Sequence, residues 1–270
     1  MKIGFLGAGK MARALAAGVV RANLVDPTNI TCSSRSENSS HLFLSLTPGA
    51  HWTDDLVELM RGSDLVILAI KPQQMPEVLP PLREASAGKL VLSLAAGITL
   101  AQMTGWLSPT ARVVRAMPNV PLQAGQGASV YAPGPVVTAA DLDLVCRVLG
   151  SAGKSWHVEE KQIDAITALS GSGPAYVFHF IEALVRGAVA LGLDEKLARE
   201  LAIQTVVGSA ELAARTALSP MELAAQVKSP GGTTLAGCAV LEKNDALNDL
   251  MARCLAAAKA RAEALSRGEP

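Results

Sequence analysis

The chain has 270 residues, acidic and basic side chains in equal number, and half of its residues hydrophobic. That length can bury a sizeable core as one large or two modest domains. A formal net charge of zero excludes electrostatic attraction to nucleic acid or to an anionic membrane as a driving force. No uninterrupted apolar run reaches the length of a membrane span, and Lys2 leads straight into a strand with no signal-peptide pattern before it. Cys32, Cys146, Cys238 and Cys254 are scattered, and the four histidines lack metal-ligand spacing. A cytoplasmic protein with reduced thiols and no metal site is therefore expected.

In chain order, Ile3 to Leu6 reads as a short apolar strand. Gly7-Ala8-Gly9-Lys10-Met11-Ala12 then gives G-x-G-x-x-A, and an apolar helical pattern follows through Leu15, Val19 and Val20. Strand, glycine turn and helix in that order make a dinucleotide-binding unit. Gly7 permits the tight turn, Gly9 lets backbone approach a pyrophosphate, and Ala12 is small enough for close helix–strand packing. The helix N-terminus offers free N–H groups to the phosphates. A second strand is expected at 29–32, ending in Ser33-Ser34-Arg35. An enzyme using NAD places Asp or Glu there to hold the ribose hydroxyls. Two hydroxyls and a guanidinium suit a 2′-phosphate instead, so NADPH is favoured and NADH is the alternative. A register shift of two residues would bring in Glu37 and reverse that preference.

Further on, the pattern predicts a helix at 37–46, a brief strand at 51–52, a helix at 53–60 and a continuous apolar strand at 64–70. Ala69-Ile70-Lys71-Pro72 follows that buried strand, which places Lys71 at the crevice where open α/β sheets bind ligands. A helix after Pro72, a strand at 89–94, a turn at Ala95-Ala96-Gly97 and a helix capped by Thr99 come next. Residues 112–117 form another strand, closed by a rigid loop that holds Asn119 between Pro118 and Pro121. Strands at 127–131 and 154–158 flank a helix at 138–149. Alternating units of this kind give a mostly parallel sheet with helices on both faces.

Near residue 159 the strand signals vanish and helical periodicity takes over. The stretch 176–192 is apolar nearly all round, which fits a helix buried in a bundle or an oligomer. Leu197, Leu201, Thr205, Gly208 and Leu212 mark one face of the next helix, with Gly208 placed to permit close packing. A small helical domain with this much apolar surface is expected to bury it against a second copy. Residues 266–270 read as a frayed tail. Two stretches are unusual for a structural bundle: Ser170-Gly-Ser-Gly-Pro-Ala-Tyr176, with Pro174 near a helix start, and Ser229-Pro-Gly-Gly-Thr-Thr234 ahead of a helix. In the second, adjacent glycines allow successive N–H groups to form a concavity suited to a carboxylate.

Together these stretches resemble pyrroline-5-carboxylate reductase, the last enzyme of proline synthesis. The resemblance rests on 7–12, 69–72, 95–97, 117–121, 169–176 and 229–234, in the family's order and over nearly the whole chain. It implies a Rossmann-type doubly wound domain at 1–158 that binds NADP, followed by an all-helical dimerisation and substrate domain at 159–270. It also implies dimers that assemble further, often into decamers, with the substrate site completed across the dimer. The implied reaction is hydride transfer from the nicotinamide to the C=N carbon of 1-pyrroline-5-carboxylate, giving L-proline. The substrate-carboxylate loop falls on Ser229, Gly231, Gly232 and Thr233, with Thr234 hydrogen-bonding the ring nitrogen as the catalytic position. Glu160 falls on an acidic position near the bound amino acid, and Gln226 on a polar position ahead of the loop. Cofactor contacts fall on Leu6, Gly7, Ala8, Gly9, Lys10, Met11, Ser33, Ser34, Arg35, Ala69, Ile70, Lys71, Pro72, Leu94, Ala95, Ala96 and Asn119. Leu56 stands where some members have an Asn near the adenosine half. Two other readings remain at this stage: a hydroxy-acid dehydrogenase on the same plan, and a non-catalytic dinucleotide sensor. The first would need a proton-trading group, yet the helix after Tyr176 holds no lysine. The second has no use for a carboxylate loop.

Overall fold

A computed structural model describes residues 1–269. Eight strands form one sheet in the order β3-β2-β1-β4-β5-β6-β7-β8. They are β1 Ile3–Leu6, β2 Ile30–Ser33, β3 His51–Trp52, β4 Leu65–Leu68, β5 Leu90–Ser93, β6 Arg112–Met117, β7 Gly127–Pro133 and β8 Gly153–His157. All neighbours pair in parallel except β6 with β7. The strand order reverses beside β1, between β1 and β4, and such a switch point opens a crevice at the carboxyl ends of the strands.

The helices between these strands are α1 Lys10–Arg21, α2 Glu37–Leu46, α3 Leu56–Gly62, α4 Met75–Val78, α5 Leu100–Trp106 and α6 Ala139–Gly150, and α7 Ile163–Ile166 follows β8. Caps explain several boundaries. Ser36 accepts from Ser39 N at the start of α2, Asp55 from two N–H groups of α3, and Thr99 and Gln102 form a capping box on α5. α1 buries Ala12, Leu15, Ala16 and Val19, the helical spacing that faces a sheet. Strand alternation sends Ile3, Phe5, Leu65 and Ile67 to one layer, where Phe43 meets Phe5 edge-on at 5.2 Å. Leu6, Val66, Leu68 and Val91 go to the opposite layer with Met60, Met75 and Leu79.

The remaining helices are α8 Gly173–Ala190, α9 Glu195–Arg215, α10 Pro220–Gln226, α11 Thr233–Glu242 and α12 Ala246–Ser266. The chain divides into two compact units, Met1–Ser172 with Ala258–Pro270, and Gly173–Ala257. The strands end at His157, where the sequence changes character, while the division by packing falls after Ser172.

Three expectations need correction, at 64–70, after Pro72 and in the tail. The strand expected at 64–70 stops at Leu68, which leaves Ala69 to Lys71 as crevice backbone. The helix expected after Pro72 is broken into a 3-10 turn, the single turn α4 and a second 3-10 turn. Pro72, Pro76, Pro80 and Pro81 withhold the N–H groups that a continuous helix needs. In the single chain the helix at 176–192, expected to be buried in a bundle or an oligomer, fully buries Val185 alone, with Phe178 at 60% and Phe180 at 50% exposure, and no atom lies within 4 Å of a Cβ added at Gly208. The tail is ordered through 269: Ser266 closes α12, Arg267 N bonds Glu263 O, and Arg267 pairs with Glu269 at 2.5 Å. Pro270 lies outside the described residues.

Candidate active site

The first unit opens a cavity of about 420 Å³ at the switch point. Leu6, Gly7, Ala8, Gly9, Ser33, Ser34, Arg35, Ala69, Ile70 and Lys71, expected as cofactor contacts, all line it. Gly7 adopts φ +110°, and a Cβ there would lie 2.6 Å from Ala69 O, so only glycine fits. Its N–H donates to Ser33 O at 2.8 Å, tying the turn to β2. Gly9 caps α1 without a side-chain bond, no acid occupies the first turn, and nothing lies within 4 Å of an added Cβ. The first N–H groups of α1 therefore face open space, a ready cradle for a pyrophosphate.

The end of β2 decides the ribose. Ser33 is buried, and Ser34 is half-buried with its hydroxyl accepting from Ser36 N at 3.2 Å. Arg35 is exposed and forms no hydrogen bond or ion pair among the described residues. Glu37 does not line this cavity; it lines a neighbouring one with Arg35 and His41. The register is thus the one that presents hydroxyls and a guanidinium, which fits a 2′-phosphate. Leu56, Ile70 and Val78 make the wall beyond apolar.

Other expected contacts lie outside this cavity. Lys10 lines a separate groove with Arg13 and Arg21, and Met11, Pro72, Leu94, Ala95 and Ala96 do not border the switch-point cavity. Leu94 N bonds Leu68 O at 3.0 Å, and Ala95 N bonds the Ser93 hydroxyl at 3.3 Å, which holds the turn after β5 against the sheet. Asn119 is buried and works as a backbone clamp. Its Oδ1 accepts from Ala128 N at 2.8 Å, and its Nδ2 donates to Ser170 O at 3.0 Å. Ser170 lies in a π-helical stretch, Thr167–Gly171, of the kind that recurs at functional sites.

Glu160 opens the 3-10 turn Glu160–Gln162, and its Oε1 accepts from Leu100 N at 2.7 Å and from Arg115 Nη1 at 3.1 Å. Arg115 Nη2 reaches Asp164 at 3.3 Å, and Asp164 also accepts from the Ser266 hydroxyl at 3.1 Å. Sequence reasoning passed over Arg115, Asp164 and Ser266 as a group. The signal was there: an arginine inside the apolar run Val113-Val114-Arg115-Ala116 must find carboxylate partners when buried.

In the second unit, Gly231 takes φ +71° and Gly232 caps α11 with no side-chain bond. A Cβ at Gly232 would meet Ser229 Oγ at 2.2 Å, and Gly232 N bonds Ser229 O at 3.0 Å. The left-handed backbone at Gly231 favours glycine, while a side chain at Gly232 would make the Ser229 hydroxyl turn aside. The first turn of α11 carries no acid, and neither the Thr233 nor the Thr234 hydroxyl has a partner among the described residues. Thr234 is half-buried while Ser229, Thr233 and Gln226 are exposed. Lys228 pairs with Glu242, which raises the pKa of its ammonium and anchors the start of the loop on the last turn of α11.

An open sheet of this order, with a glycine turn and an uncapped helix at its switch point, defines a dinucleotide-binding oxidoreductase. In keeping with that class, residues 2–97 match the family described as NADP oxidoreductase coenzyme F420-dependent. Residues 160–265 match the family described as pyrroline-5-carboxylate reductase dimerisation. Pyrroline-5-carboxylate reductase of Arabidopsis thaliana is 42% identical, covering 96% of this chain and 93% of that protein. That of Methanosarcina acetivorans is 43% identical over 90% of each chain. Among solved structures, a pyrroline-5-carboxylate reductase of Coxiella burnetii shares 38% identity over 98% of both chains, with a TM-score of 0.92. Pyrroline carboxylate reductase of Plasmodium falciparum with NADP bound shares 30% identity over 98% of both, with a TM-score of 0.87. The chain belongs to the pyrroline-5-carboxylate reductase family.

Proposed function

We infer that this protein reduces 1-pyrroline-5-carboxylate to L-proline with NADPH, the last step of proline synthesis. When bound, NADPH supplies a hydride, a hydrogen with its electron pair, to the imine carbon, while the C=N π pair becomes the amine lone pair. The chain's part is to bind, orient and neutralise. The N–H groups at the start of α1 hold the pyrophosphate, and Ser33, Ser34 and Arg35 hold the 2′-phosphate. On the second unit, the N–H groups of the first turn of α11 receive the substrate carboxylate, with Ser229, Gly231, Gly232 and Thr233 shaping the turn. The Thr234 hydroxyl accepts from the protonated ring nitrogen, and Gln226 borders the approach. On the first unit, Glu160 offers carboxylate charge to a cationic nitrogen. A cyclic imine can arrive protonated, so holding it at near-attack distance supplies much of the rate without a dedicated acid.

The observation that carries this reading is the turn before α11, where Gly231 takes a left-handed backbone and the helix start is left uncapped beside two threonine hydroxyls with no partner among the described residues. A hydroxy-acid dehydrogenase would need a group, usually His or Lys, to trade a proton with the alcohol oxygen; α8 holds no lysine, and its His179 has no carboxylate partner among the described residues. We propose that the working form is at least a homodimer that assembles further into decamers, and that it acts in the cytoplasm, as four free thiols suggest. Nucleic acid and membranes are not partners in this reading, and no metal takes part. No helix of the described residues is long and apolar enough to cross a membrane. The test is NADPH oxidation by the pure protein on adding pyrroline-5-carboxylate. A steady loss of NADPH absorbance with proline as product is expected; none at saturation of both reactants overturns the reading.

A further inference from the structure

Arg115 sits mid-sheet on β6 with its side chain 4% exposed, so its charge must be met inside the protein. It is met twice, by Glu160 at 3.1 Å and by Asp164 at 3.3 Å. Each carboxylate passes the constraint on. Asp164 accepts from Ser266 at the end of α12. Glu160 accepts from Leu100 N at 2.7 Å, the first N–H of α5, which has no partner inside its own helix. Five residues earlier begins the turn Ala95-Ala96-Gly97, whose inner side is pinned to the sheet through Leu94 N and Ala95 N. Its outer side is packed as tightly: Gly97 takes φ +73°, and a Cβ there would meet Leu265 Cβ at 2.9 Å. The ion cluster, the end of α12 and the start of α5 thus converge on one short turn at the carboxyl end of β5.

We infer that Arg115 is a positioning residue for hydride transfer, acting through Glu160 and the Leu100 N–H to fix the Ala95–Gly97 turn as the backing of the nicotinamide. This rests on the cofactor reading and on the expected cofactor contacts at Leu94, Ala95 and Ala96, at the carboxyl end of β5 where open α/β sheets bind their ligands. An apolar side chain in the same place would fill the layer with less desolvation cost. What the guanidinium adds is a fixed geometry between β6, the 3-10 turn that bears Glu160, and α5. Arg115 touches no reacting atom; it sets where the nicotinamide wall stands, and so the donor–acceptor distance.

The test compares Arg115→Gln, Arg115→Lys and Leu100→Pro with the wild type. Proline is tolerated at a first helical position, and Thr99 already has the extended backbone it requires. That substitution removes the N–H accepted by Glu160 and leaves both ionic partners in place; because Leu100 is buried in the core, Leu100→Ala, which trims the side chain and keeps the N–H, serves as its control and should leave the isotope effect unchanged. For folded Arg115→Gln, kcat is expected to fall about 10- to 100-fold, the cost of a small misplacement at the reacting centre. The deuterium isotope effect on kcat should rise, with NADPH affinity within about threefold of wild type because the phosphate end is untouched. Arg115→Lys should recover part of the loss, and Leu100→Pro should reproduce the raised isotope effect. Unchanged kcat and isotope effect in folded Arg115→Gln overturn the inference. If that variant fails to fold, an unchanged isotope effect in Leu100→Pro overturns it equally. Wild type that fails to oxidise NADPH with the imine defeats the functional reading; active wild type with unaltered variants defeats this inference alone.

Discussion

At the scale of single residues, three side chains carry predictions that separate binding from chemistry. On the function proposed above, Thr234→Ala removes a hydrogen bond to a charged nitrogen, worth roughly 1.5–3 kcal/mol, so turnover should fall about 10- to 100-fold. NADPH affinity, measured by fluorescence titration, should stay unchanged, because Thr234 lies in the first turn of α11 and does not line the switch-point cavity. Arg35→Ala should do the reverse. Losing the guanidinium costs a charge-assisted contact to the 2′-phosphate, so the KM for NADPH should rise about tenfold or more while that for NADH stays level. Equal KM values for both cofactors in the wild type would remove the argument. Cys32 supplies a pH dependence. Burial in β2 pushes its thiol up to about 11, from an ordinary value of 9.0. Between those values the unfolded chain gives up a proton that the folded chain keeps. Stability is therefore full below pH 9 and falls by about 1.4 kcal/mol per pH unit up to pH 11. Burial raises the Tyr131 phenol as well, and that works in the same direction. Denaturant midpoints at pH 8 and pH 10 should show the fall, and Cys32→Ala should flatten most of it.

At the scale of elements, the legible parts were those whose cause is local. The G-x-G-x-x-A turn, the cap at Thr99 and the bounds of α2 follow from a few adjacent residues, and the structure places them as the sequence implies. Parts fixed by distant partners were not legible. The antiparallel pairing of β6 with β7 depends on how the loop through Asn119 returns, and that is set by a clamp from Asn119 to Ala128 and Ser170. The π-helical stretch Thr167–Gly171 has no periodicity of its own to announce it. Glu160 was placed by resemblance, but its ties to Arg115 and Leu100 span 45 and 60 residues and leave no local pattern. The same distinction sets what a helix substitution does. Leu15 is fully buried where α1 meets the sheet, with Phe5 and Val19 in the same layer. Leu15→Ala should therefore cost about 3 kcal/mol through lost transfer energy and a cavity. That lowers Tm by roughly 6–12 °C in a unit of this size, checked by calorimetry. The uncapped first turn of α1 keeps its geometry, so NADPH should still bind at low temperature.

At the scale of the whole molecule, the second unit has an apolar inventory that it does not bury. Among its described residues only Val185, Ala198 and Ala202 are buried hydrophobics. Val177, Phe178, Phe180 and Leu184 on α8, and Leu197, Leu201, Val207 and Leu212 on α9, stay exposed in the single chain. A unit of this length with so thin a core cannot offset its ordering entropy alone. An exposed apolar surface of this extent marks an interface, and the family matched by residues 160–265 is described by dimerisation. The sequence announced this surface: 176–192 reads as a helix buried in a bundle or an oligomer, and the single chain leaves most of it exposed. Phe180→Glu puts a charge in the middle of that surface. It should leave the first unit folded, with its NADPH affinity intact, because Phe180 belongs to the other compact unit. Sedimentation should then show the wild type as a dimer or larger at micromolar concentration and the variant shifted toward monomer. Turnover should fall with the loss of association, and should rise again as variant concentration is increased. A wild type that sediments as a monomer, or a monomeric variant with full turnover, would mean that the exposed faces of α8 and α9 serve something other than the catalytic assembly.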